Sequence, residues 1–461
     1  MKAKSHSFFR SLINDESFKT NLLKLALPIT IQNFLTSSLN MIDTVIIGRL
    51  GEKEIAAVGI ANQYYFLFNL LILGIVGGCG IFISQFWGKR DVDHIKKFLG
   101  LGFLGLTILS TVFTLVALIF PKQIVLIFNS DPMVIEHGVN FLRIVSLSYI
   151  FTAISFNYAC ASRCVGKAIV PMIVSGIAVI INAVLNIIFV FGYFGISPMG
   201  VSGSALATLI ARIIEATIMI IYIYKSRGVL AASLKDMFNF DLKLVKSSSK
   251  IILPVILNEA CWALGNIAYV VAYGKIGTEA LATVQITSNI QNLFMVVNLG
   301  VANAASVMIG NAIGACEESK GKLYGRRFAF ISISLGIIMG GILAISSPSI
   351  LNFFKVSPVV RTSGIYILYI ISATMFLKMF NTVFAIGILQ GGGDSKYSFK
   401  LQMATLWVVG VPLAFIGALF LKLPVHMVVA LVCIQEVVNI SIAIPRLLSD
   451  KWVRNVTECV A

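Results

Sequence analysis

Long apolar stretches separated by short polar connectors run through nearly the whole chain. Twelve of them are close to the roughly 20 residues that a helix needs to cross a bilayer core, so the pattern predicts twelve transmembrane helices. The longest polar connector, residues 225–246, predicts a cytoplasmic linker between two six-helix lobes, residues 1–224 and 247–461. The predicted stretches are 22–47, 55–82, 98–120, 139–162, 169–193, 201–224, 247–273, 281–310, 326–351, 364–389, 398–421 and 425–446.

The two lobes repeat one pattern at an offset of 226 residues. Leu27-Pro28-Ile29 returns as Leu253-Pro254-Val255, and Gly51 returns as Gly277. Internal repeats of this kind are typical of transporters, with the solute path at the repeat interface. We therefore predict an all-α membrane protein with two pseudo-symmetric lobes. Pro28 and Pro254 each remove a hydrogen bond from the first helix of their lobe and are candidate gating kinks.

Composition and charge support a membrane protein and exclude a nucleic-acid partner. The chain is 58% hydrophobic and 12% charged, with a mean hydropathy of +0.92. Its net charge is +16, but 26 of the Lys and Arg residues fall in the segments on one side of the predicted membrane and eight on the other. This asymmetry follows the positive-inside rule, so the charge reports orientation. We expect a multi-pass protein of the cell membrane with both termini in the cytoplasm.

The polar residues of the first lobe suggest a cation site. Asp43 lies near the outer end of the first stretch, and Asn182 and Asn186, four residues apart, lie on one face of the fifth helix. One carboxylate and two amide oxygens suit sodium, or Asp43 alone could exchange a proton. The alternative is that the two amides only tie helices together. The second lobe has Tyr269 in place of Asp43, so we expect the coupling ion in the first lobe.

Other charges within the stretches also require partners. Arg212 and Glu215, three residues apart, are predicted to neutralise each other. Glu259 and Lys378 lie at similar depth, which predicts either a structural ion pair or a substrate or proton site at Glu259. Aromatic rings beside an acid would favour organic cations. The candidates for the solute-facing wall are Glu259, Asn33, Gln32, Lys378 and Tyr64.

A set of short motifs follows in a fixed order along the chain: Leu27-Pro28, Asp43-Thr44, Ile47-Gly48-Arg49-Leu50-Gly51, Gly166 to Pro171, Gly203-Ser204-Ala205-Leu206-Ala207-Thr208 and Gly391-Gly392-Gly393-Asp394. In this set the chain resembles the multidrug and toxic compound extrusion (MATE) family over essentially its whole length. The resemblance implies twelve helices in two lobes and export of cationic or amphipathic compounds, driven by sodium or proton entry through alternating access.

The resemblance also implies roles for individual residues. It implies a cation site at Asp43, Asn182 and Asn186, completed by the Thr208 side chain and a backbone oxygen at Ser204. It further implies a coupling kink at Pro28 and an acidic site at Glu259. Two departures from the family pattern bear on the ion. One branch has an Asp in the tenth helix, where this chain has no acid and carries Lys378, and another branch has an Asp where Asn186 stands.

A secondary active antiporter is the leading hypothesis, and a flippase for lipid-linked oligosaccharides is the alternative. The flippase would need several bases to bind pyrophosphate, and the central membrane offers only Arg212 and Lys378. A sensor or scaffold is a third class. No nucleophile, metal or nucleotide motif indicates an enzyme. We expect no cofactor other than the coupling ion, a small-molecule substrate and the bilayer as partners, and a monomer.

Overall fold

The computed structural model describes residues 15–352 and 357–459, without the side chains of residues 40, 41 and 459. Within these ranges the chain is helical and contains no strand. Its α-helices are α1 (Glu16–Gly48), α2 (Glu52–Lys89), α3 (Val92–Ile119), α4 (Pro121–Leu126), α5 (Pro132–Ser146), α6 (Tyr149–Cys164), α7 (Ile169–Phe191), α8 (Gly200–Lys225), α9 (Leu234–Met237), α10 (Leu242–Ile276), α11 (Thr278–Gly314), α12 (Glu318–Asn352), α13 (Pro358–Thr382), α14 (Ser395–Met403), α15 (Val411–Phe415) and α16 (Val425–Leu448).

Three π-helical segments extend the later helices: Val383–Gln390 continues α13, and Ala404–Gly410 and Ile416–Phe420 flank α15. In the described residues, ten helical segments are long and apolar enough to cross a membrane. The number is eleven if α5 and α6, which meet at a bend of 47°, form one broken span. Helix α1 covers the remaining predicted stretch. The predicted all-α fold is confirmed, and every predicted stretch falls on a helix or on this bent pair.

Local sequence signals explain where several helices begin. Asp91 accepts a hydrogen bond from the backbone of His94 at the start of α3, and Asp131 does the same for Met133 at the start of α5. Ser357 caps α13 in the same way. Short polar side chains at these positions satisfy backbone N–H groups that the first helical turn leaves without a partner. Each of these three side chains therefore marks the residue at which its helix begins.

Contacts divide the chain into two compact units, and the first unit comprises residues 31–87 and 91–246. Within it α7 packs along α8, and α3 packs against α6. Its core contains an aromatic cluster in which Phe68 stacks on Tyr149 at 4.6 Å between ring centroids. The linker predicted at residues 225–246 belongs to this unit.

The second unit comprises residues 15–30, 88–90 and 247–459 of the described chain. Helix α13 packs against both α12 and α16 around a core that includes Leu343, Leu368 and Met375. The units thus differ from the predicted lobes in the first half of α1, which groups with the C-terminal helices. This grouping has a chemical basis, because Asp15 forms an ion pair with Arg327 of α12 at 2.5 Å.

Candidate cation site

A close contact between α7 and α8 forms one wall of the candidate site in the first unit. Gly192 ends α7 in the left-handed conformation, with φ of 78°, which glycine adopts without strain. A Cβ atom at Gly203 of α8 would lie 2.7 Å from the backbone of Phe189, so glycine is what lets the two helices touch here. The turn at Gly192 and the close approach at Gly203 therefore bring α7 and α8 into contact.

Two hydrogen bonds join the predicted ligands across three helices. Asn186 Nδ2 of α7 donates to Asp43 Oδ1 of α1 at 2.6 Å. Asn182 Nδ2, one turn earlier on α7, donates to Thr208 Oγ1 of α8 at 3.3 Å. The Thr208 hydroxyl donates in turn to the backbone oxygen of Ser204 at 3.1 Å. The five predicted positions thus form two hydrogen-bonded groups, Asp43 with Asn186 and Asn182 with Thr208 and Ser204, which start from adjacent turns of one face of α7 and together make up a polar cluster.

The carboxamide oxygens of this cluster are left without partners. Asn182 is 1% exposed and Asn186 is 0% exposed, and in the described part of the chain neither Oδ1 atom accepts a hydrogen bond. A buried acceptor without a partner costs about 1–3 kcal/mol, so both oxygens would gain from a bound cation or water. The amide nitrogens do tie helices together, as the structural alternative supposed. Their oxygens remain available as ligands.

The donor atoms in the cluster fit a small hard cation. They comprise the Asp43 carboxylate, the two free carboxamide oxygens, the Thr208 hydroxyl oxygen and the Ser204 carbonyl oxygen. Oxygen donors of this kind suit sodium, whereas soft metals prefer thiolate and imidazole. A single carboxylate could also exchange one proton. No group of three or more His, Cys, Asp or Glu side chains suited to a metal occurs in the described residues.

The predicted pair Arg212 and Glu215 is confirmed beside this site. Arg212 donates from a terminal guanidinium nitrogen to Glu215 Oε2 at 2.7 Å, and their side chains are 16% and 6% exposed. Ser175 Oγ of α7 donates to the other Glu215 oxygen at 2.8 Å. The Arg212 charge also acts electrostatically on Asp43. Glu215 therefore neutralises the positive charge of Arg212.

A polar chain that the sequence did not indicate continues from this pair. Gln32 Nε2 of α1 donates to Ser175 Oγ at 3.0 Å, and Arg163 of α6 donates to Gln32 Oε1 at 3.2 Å. The Gln32 carboxamide is thus held at both ends within the first unit, although we predicted it for the solute-facing wall. These partners are 143 and 131 residues away in sequence, so no local spacing could reveal them.

Tyr64, another predicted wall residue, is also held within the first unit. Its hydroxyl donates to the Phe113 backbone oxygen at 2.8 Å, and its ring lies 6.3 Å from that of Tyr149. The side chain is only half-buried, so part of the ring remains accessible. Asn33, the repeat counterpart of Glu259, is likewise half-buried, and its role stays a prediction.

Of the two alternatives for Glu259 and Lys378, the structure of the described residues favours the one without an ion pair, and a substrate or proton site at Glu259 stays a prediction. Both side chains are half-buried in the second unit, on α10 and α13, but no ion pair joins them in the described residues. Lys378 has no carboxylate within ion-pair distance in the same set of residues. Glu436, which could have served, accepts a hydrogen bond from Asn381 at 2.6 Å instead. Similar predicted depth was therefore not enough to predict an ion pair between these two residues.

The two predicted kink residues lie where expected in the chain, within helices. Pro28 is inside α1 and Pro254 is inside α10. Close to Pro28, a Cβ atom at Gly300 of α11 would lie 2.0 Å from Thr30 Oγ1, so α11 approaches α1 at a position only glycine permits. A function of Pro28 and Pro254 in gating stays a prediction.

One buried charge in the second unit was not assigned a role from the sequence. Asp394, at the end of the Gly391-Gly392-Gly393-Asp394 motif, is 1% exposed and lies 2.5 Å from Arg446 and 3.2 Å from Arg454. The Arg454 backbone N–H also donates to Gly392 at 2.8 Å. The glycine run before an acid was the available signal. Its role is structural, because it fastens the C-terminal segment to the turn before α14.

The repeated apolar helices and the buried polar cluster define a polytopic helical membrane protein built from two related halves. The model of the MatE family matches residues 28–188 and again residues 254–416. The chain therefore belongs to the MatE family. The two matches begin 226 residues apart, at the offset of the internal repeat.

Individual relatives are distant but cover nearly the full length. The uncharacterized transporter YisQ of Bacillus subtilis is 25% identical over 417 residues, covering 88% of this chain and 89% of that protein. The probable multidrug resistance protein NorM of Thermotoga maritima is 24% identical over 439 residues, covering 91% and 90%. Among solved structures, an outward-facing multidrug resistance MATE family transporter of the MOP superfamily superimposes with a TM-score of 0.86, 20% identity and coverage of 94% and 96%. This last likeness concerns the fold.

Proposed function

We propose that this protein is a secondary active antiporter that exports cationic or amphipathic organic compounds in exchange for sodium ions or protons. The observation that carries the proposal is a pair of buried carboxamide oxygens, on Asn182 and Asn186, that accept no hydrogen bond in the described residues, together with the Asp43 carboxylate to which Asn186 donates. Membership of the MatE family and relatives named for multidrug resistance support the transported class.

Coupling in this proposal follows from unequal cation affinity. A bound cation shifts the equilibrium between inward-open and outward-open states only by the difference in its affinity for the two. For an uncharged exported compound, one cation entering down 100 mV supplies about 2.3 kcal/mol, which sustains roughly a fiftyfold gradient of that compound. One-for-one exchange with a monovalent organic cation moves no net charge, so the concentration gradient of the coupling cation must then supply the energy. The cation at Asp43 would thus be the energy source, and no other cofactor is needed. We further propose that the protein acts as a monomer in the cell membrane with both termini in the cytoplasm.

The experiment compares ethidium transport in vesicles that contain the purified protein, with sodium and pH gradients imposed separately. Asp43→Asn should abolish gradient-driven transport while the protein still inserts and purifies as wild type. The matched control is Asp93→Asn, which neutralises an exposed carboxylate in the first turn of α3 and should leave transport unchanged. Full transport by Asp43→Asn would overturn the proposed cation site.

One observation, the absence of an ion-pair partner for Lys378 in the described residues, favours the flippase alternative. The half-buried Lys378 lies within α13 without an ion-pair partner in the described residues, and an ammonium group within a membrane span favours an anionic ligand. Arg212, the other central base, is already neutralised by Glu215. One free base is few for a pyrophosphate group. Transport that proceeds at the same rate without either ion gradient would favour the flippase.

A further inference from the structure

A small cavity lies on the side of Asn182 that faces the Arg212–Glu215 pair. Its volume is about 10 Å³, and the polar side chains that line it are Thr36, Ser175, Asn182, Arg212 and Glu215. The lower limit for holding one ordered water is about 10–15 Å³ on the same measure. The cavity is therefore at the lower limit of the volume that holds one water molecule, and it is too small for an organic solute.

The lining supplies the partners that a buried water requires. Such a water makes two to four hydrogen bonds, and cavities that stay empty are lined by apolar groups. Here Asn182 Oδ1 is a buried acceptor with no partner in the described chain. Arg212 offers N–H groups beyond the one that donates to Glu215, and each Glu215 oxygen retains a second lone pair. A water could thus donate to Asn182 and Glu215 while accepting from Arg212.

The orientation of the Asn182 carboxamide leaves its oxygen dependent on such a partner. Its nitrogen donates to Thr208 Oγ1. Rotating the carboxamide by half a turn to give its oxygen another partner would break that hydrogen bond. When a cation is bound at the Asp43 site, the cation supplies the missing partner. When the site is empty, the oxygen is satisfied only if a water occupies the cavity.

We propose that the cavity is a binding site for one water molecule, and that this water satisfies the Asn182 oxygen whenever the coupling cation is absent. The water would stabilise the cation-free state and so ease release of the cation during each cycle. This inference rests on the proposed function of the Asp43 site. The Arg212–Glu215 pair and Ser175 would then be positioning residues that keep the cavity polar.

Filling the cavity tests this inference through the direction of the effect. Ala178 of α7 and Ala211 of α8 both line it and are 5% and 3% exposed. Ala178→Val should exclude the water and leave the Asn182 oxygen without a partner in the cation-free state alone. The concentration of sodium or protons that half-saturates ethidium transport should therefore fall about five- to hundredfold, the equivalent of one lost buried hydrogen bond. Cation release, and with it the maximal rate, should slow.

The controls separate this mechanism from simple disruption. Ala183→Val makes the same change on α7 away from the cavity and should leave the half-saturating concentration unchanged. Ala211→Val fills the cavity from α8 and should reproduce the effect if Ala178→Val fails to fold. General damage to the site would weaken cation binding, so an unchanged or raised half-saturating concentration in both filling variants overturns the inference.

A direct observation completes the test. A structure of the cation-free protein, at a resolution that shows ordered water, should contain density within hydrogen-bond distance of Asn182 Oδ1. An empty cavity would overturn the water site. Loss of transport in Asp43→Asn together with no effect of cavity filling would reject this inference and retain the proposed function. Normal transport in Asp43→Asn would reject the proposed function itself.

Discussion

Neutralising Glu215 should destabilise the first unit, because its partner Arg212 would be left buried without a counter-charge. The two side chains are 6% and 16% exposed and 2.7 Å apart, so solvent screens the pair little. Removing one member of a buried ion pair typically costs about 3–5 kcal/mol. Glu215→Gln is the sharpest form of the change, since the new carboxamide can still accept the hydrogen bond from Ser175. We therefore expect a loss of about 3 kcal/mol, mostly from the unpaired Arg212 charge.

A double-mutant cycle isolates the contribution of the charges. Arg212→Met keeps most of the apolar stem and leaves the Glu215 carboxylate unpaired, so it should also destabilise by about 3 kcal/mol. The double variant Arg212→Met with Glu215→Gln contains no buried charge at this position. It should be more stable than either single variant, because neutral replacement of a buried ion pair is often close to neutral in energy.

The assay is the free energy of unfolding of the purified protein, measured by titration with sodium dodecyl sulfate. Ser175→Ala serves as a control, since it removes a hydrogen bond to Glu215 without altering charge and should cost about 1 kcal/mol. Additive effects of Arg212→Met and Glu215→Gln, within about 0.5 kcal/mol, would show that the pair is not coupled and would refute the reasoning.

Three further variants test other contacts. Asn186→Leu removes the donor to Asp43 together with a free oxygen, so ethidium transport should lose its dependence on the cation gradient; retained dependence would count against the site. The hydrogen bond from Arg327 lowers the pKa of Asp15, so this contact stabilises at pH above the unfolded value of about 3.9 and is lost as pH falls through the folded pKa. Asp15→Asn should therefore lower the free energy of unfolding by about 1 kcal/mol at neutral pH and make it less dependent on pH in the acid range. The same pH dependence in the variant and the wild type would show that the ion pair does not contribute to stability. Gly410→Ala would place a Cβ atom 2.0 Å from Tyr269 Oη and should lower the free energy of unfolding by about 1–3 kcal/mol. Adding Tyr269→Phe removes the hydroxyl and should restore part of that loss. An unchanged free energy of unfolding in Gly410→Ala would show that the helices pack less closely here.

The helices, the repeat and several local pairs could be predicted from the sequence because short-range rules determine them. Apolar length sets a membrane helix, and residues three or four apart share a helix face. The spacing of Arg212 and Glu215 was therefore enough to predict their ion pair, and the spacing of Asn182 and Asn186 placed both amides on one face of α7. These predictions involve one helix at a time.

Contacts between helices required the tertiary structure, since they depend on how each helix is rotated and displaced against its neighbours. Lys378 was predicted to lie at the depth of Glu259, but no ion pair joins the two in the described residues. Residue number predicts depth along a helix, whereas it does not predict which neighbour a side chain faces in another helix. The free oxygens of Asn182 and Asn186 follow from which neighbour each amide nitrogen meets, Thr208 in one case and Asp43 in the other. Packing of α1, α7 and α8 thus brought polar residues spread over 166 positions of the chain into contact along one face of α7, where two carboxamide oxygens have no partner in the described residues.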